Sequence, residues 1–301
     1  KTLIRSAEIC KNDLASEMVR EFPDLHGTMG AIYAKLSGES EDVCRTIAEY
    51  MLPASPGDKL PQGICGILLG IIDRLDYVVA FISAGVDVSG SENPYGLKRI
   101  AGGLFPLIYV SGFEYDYRQI VRKILEYYDI PAEEKNSISS KIDEFLIQRY
   151  ESHLESECFP RGLRRSVLTI DGMNFLKIRK KLEALKNFIK NDIDAEQILI
   201  PVTRIANILR QATERKIQIP EFHQDLIEES GERILAEVYN TYAEKSEGLL
   251  AQMDYDNFLK ILSGLKEPVD NFFDSVLVMC PQEVLRNNRL ALLKKFNDVF
   301  L

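Results

Sequence analysis

The chain has 301 residues, 46% hydrophobic and 28% charged, with a formal net charge of −9 at pH 7. That length supports two ordinary domains, and the acidic balance argues against bulk, sequence-independent affinity for nucleic acid. No apolar run reaches transmembrane length and no signal peptide is present. Five scattered cysteines (Cys10, Cys44, Cys65, Cys158, Cys280) without a C-x-x-C pattern point to reduced thiols in a cytoplasm, and away from disulfides or zinc.

Helical periodicity then runs along almost the whole chain. Lys1 already lies within a helical pattern and is not a Met, so a piece of a longer polypeptide is expected. Residues 3–20 and 42–51 read as amphipathic helices, and residues 63–84 are apolar enough for a helix at the centre of a bundle. Asn93-Pro94 predicts a helix start, with Asn as the cap and Pro at the first helical position. Helices over 115–128 and 137–156 follow, around Pro131. Ser156-Glu157-Cys158-Phe159-Pro160 then interrupts the pattern, which predicts domains over residues 1–157 and 158–301.

A second bundle is expected from helices over 173–191, 200–216, 221–245, 255–265, 267–279 and 282–300. Pro201, Pro220, Pro268 and Pro281 lie at or near the starts of these helices, where proline is tolerated. No segment shows sustained period-2 alternation between hairpin turns, so the fold class is all-α.

Charge is unevenly spread. Residues 1–157 hold 16 Lys and Arg against 25 Asp and Glu, whereas residues 158–301 hold 21 of each. Residues 161–190 carry nine bases (Arg161, Arg164, Arg165, Lys177, Arg179, Lys180, Lys181, Lys186, Lys190) against Asp171 and Glu183. Such a run is either a solvated helix face or a track for phosphates. Residues 221–256 reverse the sign, with ten acids against Arg233 and Lys245.

Four small constellations carry candidate chemistry. Arg286 and Arg289 are three residues apart beside the apolar stripe Leu285, Leu292, Leu293, Phe296, Val299 and Phe300. Two guanidiniums on one helix face can read phosphates or base edges, or can pair with Asp270 and Asp274 across a helical hairpin. Arg204 and Asn207 share a face in the same way, Asn suiting a base edge and Arg a phosphate, or the pair bridges to the helix of Arg286 and Arg289. Lys98 and Arg99 fall one turn into the helix expected from Pro94, which is either a phosphate-attracting N-terminus or an ordinary cap with a solvated basic turn. Gly27-Thr28-Met29-Gly30 is either a backbone clamp for phosphates or a turn between helices. There is no Walker-type loop, no dinucleotide fingerprint, no nucleophile elbow and no pair of catalytic carboxylates at defined spacing, so no catalytic residue is assigned.

Longer blocks carry a resemblance. The run from Glu17 through Phe22-Pro23-Asp24 to Gly30 is similar to a signature EMVGEFPELQGIMG. Tyr50-Met51-Leu52-Pro53, Gly57-Asp58-Lys59-Leu60-Pro61, Asp73-Arg74-Leu75-Asp76 and the stretch from Gly90 to Arg99 follow in order. Thr203-Arg204-Ile205-Ala206-Asn207-Ile208-Leu209 resembles a helix KRVSNIL, and the C-terminal blocks DNFFDSVLVM and LRNNRLALLKKF close the series. Together they resemble the β subunit of the bacterial, heterotetrameric glycyl-tRNA synthetase.

The resemblance implies an HD-domain-like helical bundle followed by a helical anticodon-binding bundle of the arginyl-tRNA synthetase type. It also implies a partner α subunit in an α2β2 assembly, where ATP and Mg²⁺ are used to attach glycine to tRNA(Gly), with no cofactor in this part. On that reading tRNA would meet Lys98, Arg99, Arg161, Arg164, Arg165, Lys177, Arg179, Lys180, Lys181, Arg204, Asn207, Arg286 and Arg289. Asp73 resembles the last metal-binding Asp of the HD fold, but the His-Asp pair is missing and only His26, His153 and His223 exist. A catalytically silent scaffold is therefore expected, with Asp73 paired to a local base. The alternatives are a metal-dependent HD-type phosphohydrolase and a helical protein-interaction module.

Overall fold

In the computed structural model, residues 1–88, 94–168, 172–190 and 192–300 are described, and no strand occurs among them. They form two compact units, Lys1–Ile178 and Arg179–Leu301.

The first unit contains α1 (Thr2–Ile9), α2 (Glu17–Glu21), α3 (Thr28–Leu36), α4 (Glu41–Glu49) and α5 (Ile64–Ser83). It continues with α6 (Leu97–Gly102), α7 (Leu104–Ser111), α8 (Tyr117–Leu125), α9 (Ala132–Ser156) and α10 (Arg161–Leu168). The apolar α5 packs against α1, α4, α6, α7, α8 and α9 and buries Leu75, Val78 and Val79. This is the central helix that an all-round apolar sequence demands.

The helix expected over residues 3–20 is two helices with a turn between them. The Ser16 side chain accepts from Val19 N and starts α2, while Asp13 in the turn is buried. Asp13 caps α3 from outside it: Oδ2 accepts from Gly27 N at 2.8 Å and from Gly30 N at 2.9 Å. Gly27 has φ 81, a left-handed conformation that suits glycine, and a Cβ on Gly30 would lie 3.0 Å from Asp13 Oδ2.

The two compact units divide at Ile178/Arg179, later in the chain than the interruption at residues 156–160. Side chains beyond the 156–160 interruption still fill the first core. Phe175 lies 4.7 Å, ring centre to ring centre, from Tyr150 and 5.2 Å from Phe105, and Tyr150 donates to Phe175 O at 2.7 Å. The division falls inside α11 (Phe175–Lys190).

The second unit holds the rest of α11, then α12 (Asp192–Glu214), α13 (Ser230–Ala251), α14 (Tyr255–Ser263), α15 (Lys266–Ser275) and α16 (Glu283–Phe300). α12 and α13 each pack against α14, α15 and α16 around Ile205, Leu235, Val269, Phe272, Leu290, Leu293 and Phe296.

Two expectations fail here. Pro201 sits inside α12 and does not start it, so tertiary packing of that helix outweighs the proline penalty of about 3 kcal/mol. Residues 221–229 precede α13, with one short turn at Gln224–Leu226, and leave the helix to begin at Ser230. The proposed cap Asn93 and the acid Asp171 lie outside the described residues, as do the side chains of Val299 and Phe300.

Candidate nucleic-acid interface

The predicted site residues separate into buried side chains and half-buried or exposed ones. Arg289 is structural. It is 5% exposed, its Nε donates to Glu232 Oε1, and its Nη1 donates to Leu277 O at 3.0 Å. Neither Asp270 nor Asp274 is its partner, and the reason is geometric: the buried acid facing α16 comes from α13. Arg289 is therefore withdrawn from the RNA-contacting set.

Arg164 is withdrawn on the same ground. It is 6% exposed, gives Nη1 to Phe159 O at 3.0 Å, and pairs with Glu155 through Nη2 at 3.2 Å, closing the turn between α9 and α10.

Arg204 pairs with Asp270 and lies over the Phe273 ring, 4.5 Å from its centre, so α12 is tied to α15. Its neighbour Asn207 is exposed and accepts from Arg210 Nη2 at 3.2 Å. Arg204 and Asn207 do not converge on a shared partner.

The remaining cations are half-buried or exposed. Arg286 is half-buried on α16, and its Nε and the neighbouring Asn287 Oδ1 are buried with no hydrogen-bond partner. Lys180 on α11 is half-buried with no acid partner among the described residues. Arg179 pairs with Glu183 one turn on, and Lys181 stands 5.7 Å above the Tyr255 ring. Lys177, in the first unit, is half-buried on α11. Arg161 and Arg165 are exposed on α10.

Lys98 and Arg99 follow a turn at Pro94–Gly96, because α6 starts at Leu97, with Gly96 in a left-handed conformation before it. This six-residue helix is not the anion-attracting N-terminus expected from Pro94. Both side chains instead line a cavity beside the 53–56 loop and the end of α9.

The Gly27–Gly30 amides face Asp13, so a turn, and not a phosphate clamp, explains these glycines. His26 completes the arrangement. Its Nδ1 lies 2.8 Å from Asp13 Oδ1 and its Nε2 lies 2.9 Å from the Tyr50 hydroxyl. The Tyr50 hydroxyl also donates to Cys10 O at 3.4 Å.

Asp73 accepts the Lys11 ammonium at 2.6 Å, the local pairing expected of it. That carboxylate is thus ion-paired, and both His26 nitrogens face protein groups. Among the described residues no cluster of three or more His, Cys, Asp or Glu is placed to hold a metal ion.

Sequence reasoning missed the residues that organise these elements. Arg74, 6% exposed, gives Nη1 to Tyr50 O and Gly70 O and Nη2 to Met51 O and Pro53 O, all within 2.8–3.0 Å. Burial pulls its guanidinium below its ordinary value. Asn288 exchanges two bonds with the His223 backbone, at 2.8 and 2.9 Å. An Arg within an apolar helix and an Asn within an apolar stripe were the available signals.

The fold defines a two-unit protein that is all-α among the described residues. The family model described as DALR anticodon binding domain matches residues 198–301. The model described as Glycyl-tRNA synthetase beta subunit matches residues 1–169, more than half of the chain. The chain belongs to the glycyl-tRNA synthetase beta subunit family.

Similar curated proteins include the glycine–tRNA ligase beta subunits of Geotalea daltonii, 31% identical over 99% of this chain, and Thermodesulfovibrio yellowstonii, 33% identical over 98%. In each case the match covers 42% of the relative, so the chain spans less than half the length of these proteins. No described helix is long and apolar enough to cross a membrane.

Proposed function

We propose that this chain is the tRNA-gripping part of a glycyl-tRNA synthetase β subunit. Its second unit holds the anticodon arm of tRNA(Gly), in the cytoplasm, while an α subunit of an α2β2 assembly uses ATP and Mg²⁺ to attach glycine. The observation that carries the reading is the coincidence of the α12–α16 bundle with the anticodon-binding family match over residues 198–301.

Charge supports it. Lys180 and Arg286 have no acid partner among the described residues, and Arg179, Lys181, Arg204 and Asn207 add donors on α11 and α12. Lys177, Arg161, Arg165, Lys98 and Arg99 are the corresponding donors of the first unit. Phosphates would meet the lysines and arginines, and a splayed base would meet an arginine plane or an amide edge. The chemistry itself is assigned to the α subunit, since grip on a remote part of the tRNA serves to orient its reacting end.

Filter binding of the 301-residue chain to tRNAs with glycine and non-glycine anticodons, at several salt concentrations, tests the proposal. Tighter binding to the glycine anticodon with a steep salt slope is expected. Equal affinity for both would remove the anticodon-reading claim, and absence of binding would remove the tRNA claim.

A further inference from the structure

The cavity beside Lys98 and Arg99 has a volume of about 490 Å³ and lies wholly within the first unit. Pro53, Pro56 and Pro106 supply apolar wall, and Lys98, Arg99 and Arg149 supply three cations against one carboxylate, Glu157. The concentration is local, because residues 1–178 hold 20 Lys and Arg against 26 Asp and Glu.

Two of the cations are uncommitted. Arg149 Nε is buried with no hydrogen-bond partner, and its guanidinium carbon stands 6.0 Å from the Phe145 ring centre. Arg99 is exposed, and among the described residues it has no carboxylate partner. Glu157 is turned to the cavity's imidazole, with Oε1 3.6 Å from His153 Nε2. That ring is held in place by Phe105 at 5.2 Å and Tyr109 at 5.8 Å.

The Arg149 Nε–H has no protein acceptor, and an oxyanion in the cavity can answer it in short charge-assisted bonds. Three cations around an apolar hollow of this volume match a small molecule with one anionic end. The loop wall is fixed: Arg74 holds the Pro53 carbonyl, and a Cβ on Gly103 would come within 3.0 Å of Arg74 Nε.

We propose that this cavity binds a phosphate monoester of mononucleotide size, its phosphate on Arg149, Arg99 and Lys98 and its organic part against the prolines. The ligand is either a free mononucleotide or the 5′-phosphorylated end of an RNA strand. The proposal does not depend on anticodon binding, since every lining residue belongs to the first unit.

Calorimetric titration of the 301-residue chain tests it. The probes are adenosine 5′-monophosphate, adenosine, a 5′-phosphorylated RNA trinucleotide and the same trinucleotide with a 5′-hydroxyl. A phosphorylated probe should bind at least about tenfold more tightly than its unphosphorylated twin, and Arg149→Met or Arg99→Met should weaken it about tenfold or more.

Tighter binding of the monophosphate identifies a free nucleotide as the ligand, and tighter binding of the trinucleotide identifies an RNA end; either supports the site. Arg20→Met, an exposed cation that does not line the cavity, should leave binding unchanged. The idea is overturned if no phosphorylated probe binds at millimolar concentration, if both arginine variants bind as the parent does, or if Arg20→Met loses as much. Circular dichroism checks folding; should Arg149→Met unfold, the exposed Arg99→Met decides alone.

Discussion

Arg289 and Glu232 form a buried ion pair, with Nε and Oε1 2.5 Å apart and the side chains 6% and 3% exposed. The pair joins α16 to α13, and each partner makes a second bond, Arg289 to Leu277 O and Glu232 from Glu228 N. Removing one member leaves the other charge buried, at a cost of about 3–5 kcal/mol. Arg289→Met or Glu232→Gln should lose that much in urea unfolding, while the double variant Arg289→Met/Glu232→Leu should recover most of it. Single-variant losses below about 1 kcal/mol would show the pair to be dispensable.

Asp13, at 1% exposure, accepts from the Gly27 and Gly30 amides at the start of α3 and lies 2.8 Å from His26 Nδ1. Asp13→Ala should cost about 3 kcal/mol or more, because it strands several buried donors at once. Hydrogen exchange should speed up at Gly27 and Gly30 more than at α9 amides. Uniform exchange across the unit would contradict the capping role.

RNA contact and internal bracing make opposite demands on two cations. Arg204 is tied to Asp270 and Phe273, so Arg204→Ala should cost about 1 kcal/mol in thermal or urea unfolding. Lys180 has no acid partner among the described residues, so Lys180→Gln should leave stability within about 0.5 kcal/mol. The same change should lower the slope of log affinity for tRNA against log salt by about 1. An unchanged slope would take Lys180 out of the interface.

Alkaline conditions should unfold the first unit. Burial pushes the Cys10 thiol and the Tyr50 and Tyr117 phenols above their ordinary values. The folded chain then keeps protons that the unfolded chain releases. Stability is intact below about pH 8.5 and falls as pH rises beyond it, by roughly 1.4 kcal/mol per pH unit for each group past its unfolded value. Urea midpoints at pH 8 and pH 10.5 measure the decline, and Tyr117→Phe should make it shallower. A midpoint independent of pH in this range would contradict the assignment.

The helices were legible because apolar spacing is local, as in α5 and α16. Long-range pairing was not. Arg289 meets an acid 57 positions earlier, and nothing in the spacing of Arg286 and Arg289 separates an interior guanidinium from an available one. The break at residues 156–160 is visible in sequence, but the return of Phe175 to the ring cluster of Phe105 and Tyr150 is not. A Pro-rich scatter of helix starts likewise concealed Pro201 within α12. The uneven charge along the chain was visible in sequence, but burial sorted it by taking Arg164 out of the run that holds Lys180.

Arg74 leaves one more consequence. Its guanidinium holds the main-chain oxygens of Tyr50, Met51 and Pro53, and so it reads the path of the chain and not the identity of residue 51 or 52. A substitution at either position leaves these main-chain contacts in place, whereas a substitution at position 74 removes all of them. A lysine there would bring a point charge in place of a planar fork and could not span two strands of backbone at once.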